Sequence, residues 1–385
     1  MKYKLFLRFM ACAAIAAFAS MTALGQTPKA KQMALYVSNA GANTITKYDA
    51  ETGAFLGVVV QGGSELQGAN GFAFAPDGSI YVAGEYSNNV VHYSRKGRLL
   101  GVLDVENLAG IQAPQGVSFG PDGLLYVSSM GNDKIVRFNV SKKAYKDKFC
   151  DVKVPNVEHA APINVDFGPD GHLYVGTFEG HKQLKYQGPT STTTTTTGIA
   201  AAATVAPGTL LAIFDDPPCT GCTVGKTGTE SGTKLKGGAS IRRVNMLRQD
   251  TLAVAYASGD FDSYQASIGS VGGTTAAATV NNDAHYYVDV FDTNTFTGRV
   301  VEFTKDGQYV RTFVPENTNG LILPGGIAFG PDGSLYVANV VLDENFGDAG
   351  SVIMRFDGKT GAPLGTFVGQ GNGLSIPFAM RFGRK

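Results

Sequence analysis

The chain is 385 residues long, with 32 basic and 32 acidic residues and therefore no formal net charge. That balance speaks against nucleic acid or an anionic membrane as partner, because both select clustered positive charge. Fifty Gly, no Trp, 16 Tyr and 23 Phe suit a protein built of strands and turns.

Residues 1–25 open with Lys2, Lys4 and Arg8, pass through an apolar run from Phe9 to Ala19 and end on Ala23-Leu24-Gly25. A basic start, a short apolar run and a small-residue end form the layout of a secretory signal peptide. The mature protein is expected to be secreted or periplasmic, with residues 26–32 as a linker. A lipid-modified Cys12 would need more apolar sequence before it. No later stretch approaches the ~20 apolar residues of a membrane span. The remaining residues, 33–385, exceed a usual domain in length, but repeat architectures do so routinely.

Residues 72–82 read FAFAPDGSIYV and recur as VSFGPDGLLYV at 117–127, VDFGPDGHLYV at 165–175 and IAFGPDGSLYV at 327–337. Alternating apolar residues mark half-buried strands, and Pro-Asp-Gly supplies a tight turn between them. One hairpin cannot bury its own face, so repetition at this spacing predicts an all-β, radially arranged β-propeller. A third-strand pattern follows in six places: ITKYD at 45–49, VVHYS at 90–94, IVRFN at 135–139, LAIFD at 211–215, VVEFT at 300–304 and IMRFD at 353–357. Six copies predict six blades. A fourth strand after a Thr-Gly or Asp-Gly turn, as in TGAFLG at 52–57 and TGAPLG at 360–365, makes each blade four-stranded. Seven blades are the alternative, since residues 216–299 parse poorly.

The first unit starts at its second strand, Leu35-Tyr36-Val37, whereas residues 377–383, PFAMRFG, align with the first strand PGGIAFG at 324–330. Pairing this orphan C-terminal strand with the N-terminal blade would close the ring and remove its open edges. Three loop insertions, near 178–208, 258–298 and 339–351, are expected to connect second to third strands and so to share the channel face. Long loops on a rigid scaffold are where binding residues concentrate, although Thr- and Ala-rich tracts are also tolerated as drift. In the last loop, Asp343, Glu344, Asn345 and Asp348 offer oxygen donors to a hard cation such as calcium; a solvated acidic loop is the plainer reading.

Of the cysteines beyond the leader, Cys219 and Cys222 are expected to form a local disulfide, and Cys150 to stay unpaired in an outer strand. Thr223 stands where haem attachment requires His, and no second Cys-x-x-Cys completes a zinc site.

The segment GVSFGPDGLLYV at 116–127, followed by GNDKIVRF at 131–138, resembles an NHL repeat, and more distantly the gluconolactonase-like (senescence marker protein-like) propellers. The resemblance covers nearly all of the mature chain, most weakly over 178–299. It implies a divalent cation, calcium or zinc, at the channel mouth. Gluconolactonase-like enzymes hold one there with Glu, Asn and Asp, some in Asn-Gly pairs entering a first strand. Asn70-Gly71 matches such a pair; the aligned positions are Gln115, Ile163, Gly325 and Phe378, with Asn164 one residue further on. The family's first-blade Glu has no counterpart, because that strand reads Pro377-Phe378-Ala379. NHL-type peptide-amidation lyases hold zinc with histidines, which directs attention to His159, His181 and His285, while His92 and His172 read as surface residues. There is neither a Ser nucleophile elbow nor a phosphate loop.

The expected function is an exported propeller that binds a small-molecule or protein ligand on its loop-bearing channel face, through Asn70, Gln115, His159, Asn164, Glu179, His181, Asp260 and Asp262. The alternative is a metal-dependent lactonase-type hydrolase or lyase acting at the channel mouth, its cation held among Asn70, Asn164, Asp343, Glu344, Asn345 and Asp348.

Overall fold

Period-two alternation and Pro-Asp-Gly turns produce six four-stranded antiparallel sheets, the blades of a propeller. The computed structural model describes residues 33–103, 106–168, 170–179, 182–191, 194–195, 203–215, 244–248, 285–292, 297–304 and 308–385. Blade 2 shows the unit: Ala69–Phe74, Ile80–Gly84, Asn89–Tyr93 and Leu99–Leu103 pair in sequence order. In its turn the Gly78 N–H donates to the Ala75 carbonyl at 2.8 Å. Gly78 sits at φ +82°, a left-handed conformation that glycine adopts without steric cost. Blade 3 follows with Pro114–Phe119, Leu125–Ser129, Lys134–Asn139 and Ala144–Asp151. Blade 6 comprises Leu323–Phe329, Leu335–Val340, Val352–Phe356 and Pro363–Val368.

Blade 1 takes its innermost strand, Pro377–Arg384, from the far end of the chain and pairs it with Met33–Asn39, placing Phe382 opposite Leu35 and Met380 opposite Val37. Thr44–Asp49 and Phe55–Gln61 complete that blade. The orphan strand therefore closes the ring as expected. Each innermost strand touches the next around the channel, and Pro377–Arg384 contacts both Leu323–Phe329 and Ala69–Phe74. The approach is at backbone distance: a Cβ on Gly71 would lie 2.3 Å from the Gln115 carbonyl oxygen.

One aromatic contact repeats between blades. The second-strand Tyr of one blade packs edge-to-face on the first-strand Phe of the next: Tyr36 on Phe74 at 4.9 Å, Tyr81 on Phe119 at 5.8 Å, Tyr126 on Phe167 at 4.8 Å, Tyr287 on Phe329 at 5.1 Å and Tyr336 on Phe382 at 5.1 Å. Such pairs contribute about 1 kcal/mol each beyond their burial, so they hold neighbouring blades in register.

Blades 4 and 5 depart from the sequence-based expectation. The third strand of blade 4 is Lys182–Tyr186, after Pro162–Phe167 and Leu173–Thr177. The LAIFD segment instead lies in the fourth strand, Leu210–Asp215. The Thr- and Ala-rich tract thus joins a third strand to a fourth, and its connection springs from the Pro-Asp-Gly end of the ring. Within it, Thr194–Thr195 pairs with Ala203–Thr204. Blade 5 comprises Val244–Arg248, His285–Asp292, Thr297–Thr304 and Tyr309–Val314. The first of these strands ends and the second begins, at Arg248 and His285, at the end of the ring where the other blades carry the Pro-Asp-Gly turn. Of the three insertions, only the connection from Val340 to Val352 belongs to the channel face. The expectation of three co-facial insertions is corrected accordingly.

The supposed surface histidines also differ. His92 stacks on Tyr81 with ring centroids 4.1 Å apart, and burial lowers its pKa. His172 is half-buried, its Nδ1 accepting the Gly188 N–H at 3.2 Å, and burial lowers its pKa as well. Glu302, in the same column as His92, is only 4% exposed. Among the described residues no helix is long and apolar enough to cross a membrane.

Candidate functional site at the channel mouth

A first strand enters each blade from the channel face, so residues at its start surround the mouth. Asn70, at the start of blade 2, is fully buried; its Nδ2 donates to Glu85 Oε2 at 2.7 Å and to Gln115 Oε1 at 3.0 Å. Its Oδ1 is buried without a hydrogen-bond partner. Gln115 is 3% exposed and belongs to blade 3. The structure thus joins Asn70 and Gln115 to Glu85, a residue that sequence reasoning missed. The Asn70 amide nitrogen stands between the two acceptor oxygens, in the place a cation would need.

Asn164 is half-buried and lines the channel pocket with Gly71, Val117, Asp166, Gly326, Ile327, Phe378, Ala379, Met380 and Arg381. The pocket is small, with a cavity volume of about 40 Å³, room for a few water-sized groups. Its walls come from the first strands of blades 1, 2, 3, 4 and 6. Most of the lining is apolar, with Asn164, Asp166 and Arg381 as polar side chains. Arg381 Nε donates to the Phe72 carbonyl at 2.9 Å and Nη2 reaches the Val117 carbonyl at 3.5 Å, so one side chain of blade 1 ties blades 2 and 3. Asp166 Oδ1 accepts from Ser118 Oγ at 3.1 Å. Asp166 and Arg381 were both absent from the sequence-based candidates.

His159 lies in the connection entering blade 4. Its Nδ1 meets Asp133 Oδ2 at 2.9 Å, while Asp133 Oδ1 accepts the Ala161 N–H at 2.7 Å. This pairing braces the connection. His285 starts the second strand of blade 5, at the turn end, where its Nδ1 faces Glu302 Oε1. His159 and His285 therefore stand at opposite ends of the ring, and a zinc triad containing both is excluded on geometry.

The acidic connection of blade 6 is likewise committed internally. Asp343 Oδ1 accepts the N–H groups of Asn345 and Gly347, each at 2.8 Å. Asp348 accepts from Gly350 at 2.7 Å, Ser351 at 2.9 Å and Ile376 at 2.7 Å. Burial acts to raise the Asp348 carboxyl, but these backbone donors outweigh it and hold it below the ordinary value. Glu344 and Asn345 are exposed, as is Glu179 beside the third strand of blade 4. Among the described residues no three His, Cys, Asp or Glu side chains converge as metal ligands do. His181, Asp260, Asp262, Cys219 and Cys222 lie outside the described residues. Cys150 is buried and free, its thiol pushed up by that burial.

No protein-family model matches the chain, and no curated protein matches it. Solved structures do. A protein of unknown function from Bacteroides caccae aligns over 92% of this chain and 100% of its own, at 14% identity and a TM-score of 0.54. A chain of a nidogen/laminin complex aligns over 91% and 98%, at 12% identity and a TM-score of 0.50. The periplasmic gluconolactonase of Pseudomonas aeruginosa aligns over 91% and 98%, at 14% identity and a TM-score of 0.45. At such identities the first two likenesses establish shared architecture alone: this chain is a six-bladed β-propeller.

Proposed function

We propose that the protein is an exported β-propeller that binds a small ligand in the mouth of its central channel. The observation that carries this reading is the channel pocket itself, walled by apolar residues and by three polar side chains, Asn164, Asp166 and Arg381. Export rests on the signal-peptide layout of residues 1–25. Binding is preferred to catalysis because, among the described candidates, Asp343 and Asp348 are committed to backbone donors and His159 to Asp133. The test is thermal stabilisation of the purified mature chain by a panel of small acids, amines, sugars and amino acids, repeated on Ala379→Phe, which fills the channel. Stabilisation present in the parent and lost in the variant is expected. Compounds that stabilise both equally, or a panel with no stabilising member, would overturn the reading.

A metal-dependent lactonase-type hydrolase or lyase is the second reading, favoured by one atom: the buried Asn70 Oδ1 that lacks a partner. Were the Asn70 amide to turn over, three oxygens would converge between Asn70, Glu85 and Gln115, though only one would carry charge. A calcium or zinc ion that copurifies and is lost in Glu85→Gln, together with hydrolysis of a simple γ-lactone, would support this reading over binding alone.

A further inference from the structure

We propose that the channel ligand is a small zwitterion whose anionic group pairs with Arg381 and whose ammonium group pairs with Asp166; this rests on the channel-binding reading above. The argument begins with register. In every blade one first-strand residue lies opposite the second-strand Tyr or its equivalent: Arg381 opposite Tyr36, Ala73 opposite Tyr81, Ser118 opposite Tyr126, Asp166 opposite Tyr174, Leu247 opposite Tyr287 and Ala328 opposite Tyr336. These six share one register position around the ring, and two of them, Asp166 and Arg381, line the channel pocket. These two are charged, with opposite sign, and they belong to blades 1 and 4, which face each other across a six-bladed ring.

Both charged side chains reach toward the same neighbour. Arg381 Nη2 approaches the Val117 carbonyl and Asp166 Oδ1 accepts from Ser118, the next residue of blade 3. The charges therefore converge over one short stretch of strand, yet no ion pair joins them. Each keeps unspent capacity. Arg381 uses Nε and Nη2 on carbonyls and leaves Nη1 without a bond among the described residues. Asp166 Oδ1 accepts from Ser118 and from the Phe167 N–H, while Oδ2 accepts from none of them.

The other walls are Val117, Ile327, Phe378 and Met380, whose apolar surface strengthens any charge interaction made between them. A carboxylate suits the planar guanidinium fork, and an ammonium donates well to a carboxylate oxygen. A ligand with only one charge would leave the other protein charge partly desolvated and unpaired, so the pair selects for molecules carrying both. The convergence on adjacent residues 117 and 118 calls for a short separation between the two charges, on the scale of an amino acid.

Isothermal titration of the mature chain with glycine, β-alanine and γ-aminobutyrate, against acetate and ethylammonium, tests this. At least one zwitterion is expected to bind tenfold or more tightly than either single-charge probe. Asp166→Asn keeps the shape and the Ser118 hydrogen bond, and is expected to cost that zwitterion about tenfold while acetate, freed of an unpaired like charge, binds at least as tightly as before. Arg381→Lys, with an intact melting transition, should weaken zwitterion and acetate together. Acetate binding as tightly as the best zwitterion, or Asp166→Asn without effect, would overturn the proposal. If no zwitterion binds while another solute is excluded by Ala379→Phe, the zwitterion falls and the channel reading stands; if nothing binds, both fall.

Discussion

Tyr287 Oη donates to Glu302 Oε1 at 2.8 Å, and this bond replaces in blade 5 what a turn aspartate does in its neighbours. In blades 3, 4 and 6 the second-strand Tyr donates to the Asp of the Pro-Asp-Gly turn: Tyr126 to Asp122 at 2.9 Å, Tyr174 to Asp170 at 2.8 Å and Tyr336 to Asp332 at 3.1 Å. A third-strand cation, Arg137, Lys185 or Arg355, then pairs with the same carboxylate. Blade 5 has no such turn, and its third strand carries the acid instead. Glu302 serves Tyr287 directly, and the cation comes from the fourth strand, where Arg311 Nε donates to Glu302 Oε2 at 2.6 Å. The charges are exchanged between strands while the Tyr remains satisfied.

Glu302→Ala should therefore destabilise the propeller by about 2 kcal/mol, because it removes the carboxylate that the buried Tyr287 hydroxyl donates to and that Arg311 pairs with, although Arg311 keeps its bond to the Lys359 carbonyl. Arg311 is partly exposed, so solvent recovers part of its loss. Urea unfolding measures the change, and a shift below about 0.5 kcal/mol would mean that blade 5 does not depend on this network.

Acid should weaken the fold in two stages. His92 is kept neutral by burial, so its folded pKa lies below the ordinary 6.5; the unfolded chain takes the proton first, and stability falls as pH drops below 6.5 until the folded value is passed. His172 acts in the same sense. For Glu302 and Asp170 burial raises the pKa, but Arg311 and Lys185 respectively outweigh it. Their folded values lie below 4.5 and 3.8, and their contribution is lost as pH falls through those depressed values. His92→Phe should keep the stack on Tyr81, remove two ring nitrogens that are buried without partners and flatten the first stage. Melting temperatures of parent and variant that ran parallel between pH 7 and pH 5 would contradict this account.

The fold was legible where the repeat carries its own chemistry. Pro-Asp-Gly and the alternating strands name blades 2, 3, 4 and 6 outright, and PFAMRFG revealed the closing strand. Lys182–Tyr186 was missed because Gln183 occupies the place where the other blades carry Ile45, Val90, Ile135, Val300 and Ile353, which erases the apolar signature. LAIFD reads as a third strand because this fourth strand carries the same pattern. The channel charges leave a trace in the sequence: in FAF, VSF, VDF, IAF and MRF, the residue before the last Phe is Ala, Ser, Asp, Ala and Arg. Only ring closure turns that column into one register position around the ring. Glu85 had no such trace, since it follows its strand in a connection that differs from blade to blade.

The strands that flank the Thr- and Ala-rich tract meet it at the turn end, so the tract is expected to be dispensable to the channel. Replacing residues 196–202 by two glycines shortens a connection that leaves from the turn end, and loop closure changes only slightly with length. Ligand affinity at the mouth should be unchanged and the melting temperature should move by no more than about 3 °C. A tenfold loss of affinity would place the tract near the mouth after all.

Deleting residues 376–385 should cost far more. The innermost strand of blade 1 would be lost, and with it Phe378, Met380 and Phe382, which are 3%, 4% and 7% exposed. Their burial is worth on the order of 5 kcal/mol, comparable with the whole stability of a typical domain. Further ties go with it: the Tyr336–Phe382 contact, the Arg381 bonds to blades 2 and 3, and the Lys385 ion pair to Asp49. The residual ring would expose the hydrogen-bonding edge of Met33–Asn39, an invitation to pair with another chain. The truncated protein is expected to unfold or aggregate at room temperature, and adding back a peptide of residues 374–385 should restore part of the native circular dichroism signal. A truncation that melts within a few degrees of the parent would show that the two ends of the chain do not hold the ring together.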